Sequence, residues 1–284
     1  MSGAAWGGMG WRPDLPDFRD LHPGSEPIRE VLGKSRLLRS AAKTGPASVD
    51  LRAWCSPIED QGELGSCTAN AGVALFEYFE RRAFGKHLDA SRLFLYKVTR
   101  NLMGAKGDTG AELRDTMKAM VLFGVPPEKY WAYKISRYEE EPTSFCYAFA
   151  QSYQAVKYYR LDPPGTDPTK ALSEIKKSLA AQFPVMFGFS VYTSMPGVGD
   201  SKGEIPYPGP GDKMEGGHAI VAVGYDDGKK IGKEKGALLI RNSWGTEWGD
   251  KGYGWLPYSY VESELAEDFW TLVKAEYVDT DLFK

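Results

Sequence analysis

The sequence predicts an α+β fold in two lobes, on two changes of texture along the chain. Residues from about 67 to 180 carry mostly helical periodicity, whereas from 181 onward β-branched and aromatic runs alternate with turn residues. Residues 1–46 match neither pattern, being rich in Pro, Gly and charge, and read as an N-terminal extension to a body spanning 47–284. The helical part of that body lies mainly in 60–180 and the β-rich part mainly in 181–284.

In the extension only Pro27 to Leu38 suits a helix. KSRLLRSAAK (34–43) reads either as an exposed, cleavable linker or as an arm packed on the body. Cys67 to Phe84 places Ala71, Leu75 and Phe79 on one helical face, with Gly85 as a natural stop. Further helices are expected over Ala90–Asn101, over Ala111–Phe123 ahead of Gly124, and from Pro168 to Ala181, closed by Pro184. Strands are expected at VMFGFSVY (185–192), HAIVAVGY (218–225), ALLIRNSW (237–244), YGWLPY (253–258) and TLVKAEYV (271–278). The Gly- and Pro-rich stretch 193–217 is too long for a hairpin turn, and long loops in compact proteins are often functional.

Composition narrows the function classes. A formal net charge of −3 gives no reason to expect nucleic acid or an anionic membrane as partner. No apolar run approaches the roughly 18 residues of a membrane span. The three cysteines, Cys55, Cys67 and Cys146, are too few for a disulfide scaffold, although one Cys55–Cys146 bridge stays open. The N-terminus lacks a basic segment followed by an apolar core, so a cytoplasmic location or export by a non-standard route is expected.

Three residues carry candidate chemistry. Cys67 follows Ser66, a good N-cap residue, so its thiol is expected in the first turn of a helix, where a negative charge is favoured. A thiol of ordinary pKa is only about 3% ionised at pH 7, so a nucleophile needs a partner base; otherwise Cys67 is an inert buried cysteine. Of the three histidines, His22 and His87 sit in polar surroundings. His218 follows two glycines and opens a strand, which suits either a cleft or the edge of a core. Asn242 ends an apolar strand beside Trp244; an amide there is suited to orienting an imidazole, or simply to capping a turn.

Taken together, QGxxGSC, GGHAxxxVGY and xNSWGxxWGxxGY resemble the papain-like cysteine peptidases, in the family's order Cys, His, Asn. The resemblance runs from about Val49, in SVDLRAW, to at least Tyr253. It implies the papain-like two-lobed fold, a helical lobe and a β-barrel-like lobe with the site in the cleft between them. It also implies a Cys67 nucleophile paired as thiolate with a His218 imidazolium, Asn242 orienting His218, and Trp244 shielding that contact. Gln61 would donate to an oxyanion beside the Cys67 backbone N–H. Gly110 would pair with substrate backbone, and Gly188 and Ala219 would form small walls of a pocket whose floor comes from beyond 258. No metal or organic cofactor is implied, and the partner is a peptide or protein substrate.

The chain departs from the family at Leu64, where a bridging cysteine is usual, at Thr68, where an aromatic residue is usual, and at Gly217, where a polar residue is frequent. The usual helical propeptide signature is missing, so WRPDLPDFRD is expected to lie along the cleft as an extended, inhibitory strap. Endopeptidase action through a thioester is the leading expectation. An exopeptidase, a thiol acyltransferase or transpeptidase, and a catalytically silent binding homologue are the alternatives.

Overall fold

The computed structural model describes residues 6–34, 45–155 and 157–273. The N-terminal segment supplies strand β1 (Trp11–Arg12) and helix α1 (Glu26–Lys34), which buries Ile28 completely. After β2 (Ser48–Asp50) come α2 (Cys67–Phe84), α3 (Arg92–Leu102), β3 (Ala111–Glu112), α4 (Leu113–Leu122) and α5 (Ser144–Ala150). The back half contains β4 (Lys157–Arg160), α6 (Pro168–Ala180), β5 (Val185–Tyr192), β6 (Met214–Ile231), β7 (Glu234–Arg241), β8 (Tyr253–Pro257), α7 (Ser259–Glu262) and β9 (Ala266–Val273). An α+β fold is therefore correct.

α2 keeps its expected bounds because Gly85 takes the left-handed conformation (φ 66°) and returns its N–H to Arg81 O. Gly72 lets neighbouring helices close on α2, since a Cβ there would lie 3.0–3.2 Å from Thr116, Met120 and Leu95. α3 starts later than expected because Ser91 is its cap, accepting from the Phe94 N–H. α4 starts at Leu113 because the Ala111 N–H is taken by Gly10 O, which holds Ala111–Glu112 extended.

The strands pair antiparallel in the order β4, β9, β5, β6, β7, β8, with β2 added to β6. β4 and β8 are not paired with each other, so among the described residues the sheet is open rather than closed into a barrel. β9 begins five residues before the strand expected at 271–278, whose last five residues lie outside the described chain. The end of the expected loop, 214–217, already belongs to β6. α5, β2 and β4 were not expected; the strands are three and four residues long and exist through pairing with β6 and β9. Most of the linker 34–43 lies outside the described residues.

α2 packs on α3 and α4 with one flank and on β5 and β6 with the other. Its N-terminus therefore emerges where helices meet sheet. β1 threads that junction, paired with β3 on the helical side and packed on β5 and β6 on the other. Cys55, Cys67 and Cys146 are all buried free thiols, so no Cys55–Cys146 bridge exists.

Candidate active site

Residues 61–66 are held rigidly against the helices. Tyr133 donates its hydroxyl proton to Gln61 O at 2.9 Å, so Ser66 Oγ donates to Tyr133 at 2.7 Å. Asn70 Nδ2 also donates to Ser66 Oγ, and the Asp108 carboxylate accepts the Gly65 N–H. Ser66 precedes α2 as expected, but its hydroxyl makes these contacts and caps no helix N–H. These bonds fix the loop that delivers Cys67, which has no exposed surface.

β6 brings His218 to the same place: the backbone N–H of Ala219, next in sequence, lies against the Cys67 thiol. Asn242 Oδ1 accepts from His218 Nε2 at 2.7 Å, and the Ser243 N–H, 2.8 Å away, fixes the amide. With the proton on Nε2, Nδ1 is the ring's acceptor, and it has no hydrogen bond among the described residues. The Trp244 ring covers the imidazole, centroids 4.6 Å apart and 31° between planes, and Trp248 meets Trp244 edge-on. Cys67, His218, Asn242 and Trp244 are thus gathered in one place.

Gln61 joins them. Ser243 Oγ donates to its Oε1 at 2.6 Å, which turns Nε2 outward to donate to Leu64 O and to Gly8 O, both at 2.8 Å. Gly8 belongs to the N-terminal segment. Its carbonyl oxygen therefore sits at the amide expected to bind an oxyanion, and the Trp244 indole N–H also faces it at 3.4 Å.

The segment follows the whole junction. Trp6 donates to Met195 O at 3.3 Å, and the Gly8 N–H donates to Gly62 O at 2.7 Å. Gly10 O accepts from Ala111 N–H at 2.8 Å, so Ala111 rather than Gly110 makes the backbone bond. Gly110, at φ 68°, gives the clearance, because a Cβ there would lie 2.1 Å from Gly10 O. The segment needs equal clearance of its own: Cβ atoms at Gly7, Gly8 and Gly10 would stand 2.1–2.3 Å from Trp244, Leu64 O and Gly65 O. The expected strap began at Trp11, but the candidate catalytic groups are covered by residues 7–11.

Trp11 fills the expected pocket. Gly188 and Ala219 are register partners on β5 and β6, and a Cβ on Gly188 would fall 1.9 Å from the Trp11 indole. Gly217 is equally necessary, since a Cβ there would meet Trp11 O at 2.6 Å and its ring at 2.8 Å. The indole N–H ends on Asp268 Oδ2, 3.2 Å away. Asp268 is the pocket residue that the sequence leaves unplaced. Beyond the pocket, Asp14 is buried beside Arg114, Arg160, Asp162, Asp268 and Trp270, and Asp20 pairs with Arg114.

Burial under the segment sets the charge state. It raises the Cys67 thiol to about 11, against weaker help from the backbone N–H groups of Ala219 and Gly10. It lowers His218 to about 4, opposed by the Asn242 bond. Burial thus favours the neutral forms of both groups in the covered site, whereas the sequence leads one to expect the thiolate–imidazolium pair.

Comparison with known proteins agrees with this geometry. Residues 45–269 match the papain family cysteine protease model. An uncharacterized peptidase C1-like protein of Acanthamoeba polyphaga mimivirus is 35% identical over 218 residues, covering 75% of this chain and 68% of the viral protein. The crystal structure of xylellain, a cysteine protease from Xylella fastidiosa, superposes with a TM-score of 0.75 at 34% identity, covering 96% of this chain and 99% of that one. The ragweed pollen allergen Amb a 11 cysteine protease in its proform gives 0.62 at 25% identity, covering 82% and 69%. The chain spans just over half the length of several other curated relatives. With the family's motif residues gathered at one junction and the match extending over most of the body, the chain belongs to the papain family of cysteine proteases and is a hydrolase.

Proposed function

We propose that the protein is a cysteine endopeptidase that its own N-terminal segment holds inactive, as a zymogen. With the segment displaced, Cys67 attacks the peptide carbonyl as a thiolate, and His218 protonates the departing amine. A thioester to Cys67 remains, and His218 then activates the water that hydrolyses it. Asn242 keeps the imidazole oriented, while Gln61 and the Cys67 N–H stabilise the oxyanion of each tetrahedral intermediate. Gly110, Gly188 and Ala219 give substrate backbone and side chain the clearance that the segment uses in the covered state.

The observation that carries the reading is the Gly8 carbonyl held by the Gln61 amide, 2.8 Å from Nε2, beside Cys67, His218 and Asn242. A chain beginning at Pro46 is expected to cleave peptide substrates with kcat/KM on the order of a hundredfold above the full chain, since several buried contacts no longer oppose substrate. Cys67→Ala should abolish turnover in both. Equal turnover and equal substrate affinity in the two chains would sink the inhibitory role; activity surviving in Cys67→Ala would sink the mechanism.

A further inference from the structure

Gly10 of the docked segment lies in a narrow slot between two walls. A Cβ on Gly10 would fall 2.1 Å from Gly65 O, on the loop that leads into Cys67. On the other side its carbonyl oxygen accepts the Ala111 N–H, and a Cβ on Gly110 would lie 2.1 Å from that oxygen. Gly65 and Gly110 thus stand on either side of a single backbone, and the gap between them has no room to spare.

A polar link ties these two walls to each other. The Gly65 N–H donates to both carboxylate oxygens of Asp108, at 3.1 and 3.0 Å. Tyr96 donates its hydroxyl proton to Asp108 Oδ1, and the same hydroxyl oxygen accepts the Gly110 N–H at 3.1 Å. Tyr96 has no exposed surface and is fixed from α3. Arg100, one turn further on, lies 4.4 Å from the centre of its ring and donates to Gly107 O and Tyr138 O. Asp108 itself sits in the exposed part of the loop between α3 and β3. All three cysteines are free thiols, so no disulfide duplicates the tie.

We propose that Asp108 and Tyr96 are positioning residues for the reaction at Cys67: they set the gap between the nucleophile loop and the wall at Gly110, and so the place of a peptide carbonyl relative to the thiol. The inference rests on the cleft being a peptide-binding site. Gly65 stands two residues before Cys67, so a shift of this loop carries the thiol and the Cys67 N–H with it. Either side chain is enough to break the link. Without the Asp108 carboxylate the Gly65 N–H loses its acceptor, and without the Tyr96 hydroxyl the Gly110 N–H loses its own. In a reaction that depends on orientation, misplacement by about 1 Å can cost on the order of 100-fold. A small alkylating reagent needs no such gap, because it has only to reach the sulfur.

The test uses the full chain, a peptidyl diazomethyl ketone, and iodoacetamide as the reagent lacking a peptide. Labelling of Cys67 by each is followed by peptide mass mapping. Displacement of the segment precedes both reactions, so it cancels in the ratio of the two rates. Asp108→Ala and Tyr96→Phe are each expected to lower the peptidyl-to-iodoacetamide ratio at least about tenfold. Weaker docking or general loosening would change both rates together and leave that ratio unmoved. In the double variant the ratio should stay within about twofold of the more affected single variant, because both substitutions break one link. An unmoved ratio in Asp108→Ala, where the exposed loop position leaves the core intact, overturns the proposal. So does a loss confined to one of the two single variants, or losses that multiply in the double. Failure of the peptidyl probe to outpace iodoacetamide in the unaltered chain would instead overturn the peptide-cleft reading, and this inference with it.

Discussion

Trp11→Ala in the full chain is expected to speed alkylation of Cys67 by iodoacetamide roughly 100-fold. Cys67 has no exposed surface while the N-terminal segment is docked, so reagent reaches it only in the displaced state. Trp11 is 8% exposed, and removing so large a buried side chain costs docking about 3 kcal/mol or more. Each 1.4 kcal/mol changes the docked-to-displaced ratio tenfold. Cys55 and Cys146 serve as internal controls, because they are buried away from the segment beside Leu51 O and Tyr130 O. A rise confined to Cys67 supports the docking role, and faster labelling of all three indicates general loosening. An unchanged Cys67 rate would mean that Trp11 contributes nothing to the cover.

The second large effect is a dependence on pH to which Asp14 should contribute most and which Asp14→Asn should therefore reduce. Asp14 enters a crowded group: Asp20 on the same segment, Arg114 on α4, Arg160 and Asp162 at the end of β4, and Asp268 with Glu267 on β9. Desolvation and then Asp268 raise Asp14 to about 7 despite Arg114, while desolvation first raises Asp268 to about 6. Asp14 and Arg160 line an open cavity of about 290 Å³, so solvent protons reach them in the docked state.

For Asp14 the docked pKa lies above that of a free carboxyl, 3.8. The stabilisation is therefore complete below about 4 and is lost as pH rises toward 7. Across that window docking should weaken by up to about tenfold per pH unit, then level off. The alkylation rate of the unaltered chain divided by that of Asp14→Asn removes the thiol's own ionisation. This ratio should climb from pH 4 to 7 and reach on the order of 100 to 1,000 at pH 7, since a neutral amide mimics the protonated acid. A ratio independent of pH would show that Asp14 carries no such linkage. Opening of the segment is thus predicted to be favoured by neutral rather than acidic conditions.

Much of the site was legible in the chain. Cys67, His218, Asn242 and Gln61 stand in spaced motifs, and the runs at 185–192 and 218–225 mark the strands that carry Gly188 and His218. What escaped depends on tertiary partners. WGGMGW (6–11) has no signature of a cleft-filling strand; its glycines acquire meaning only against Leu64, Gly65 and Trp244. Asp268 was invisible because a bulge in β9 turns a residue from an apparently polar loop into a pocket floor. Ser66 had the chemistry of a cap, but Tyr133, 67 residues away, took its hydroxyl. The shift of Cys67 and His218 toward their neutral forms belongs to the same class, since it follows from burial and no local motif encodes that.

The contacts of Gly8, Gly10 and Trp11 have a further meaning because segment and body are one chain. A segment attached to its own site is presented at an effective concentration on the order of millimolar, so modest intrinsic affinity keeps the cleft filled. If the chain were severed between them, the same residues would compete only at the bulk concentration of the protein. A cover that is strong when tethered would then be weak when free, with no hydrogen bond altered. Release would thus become effectively one-way through dilution alone.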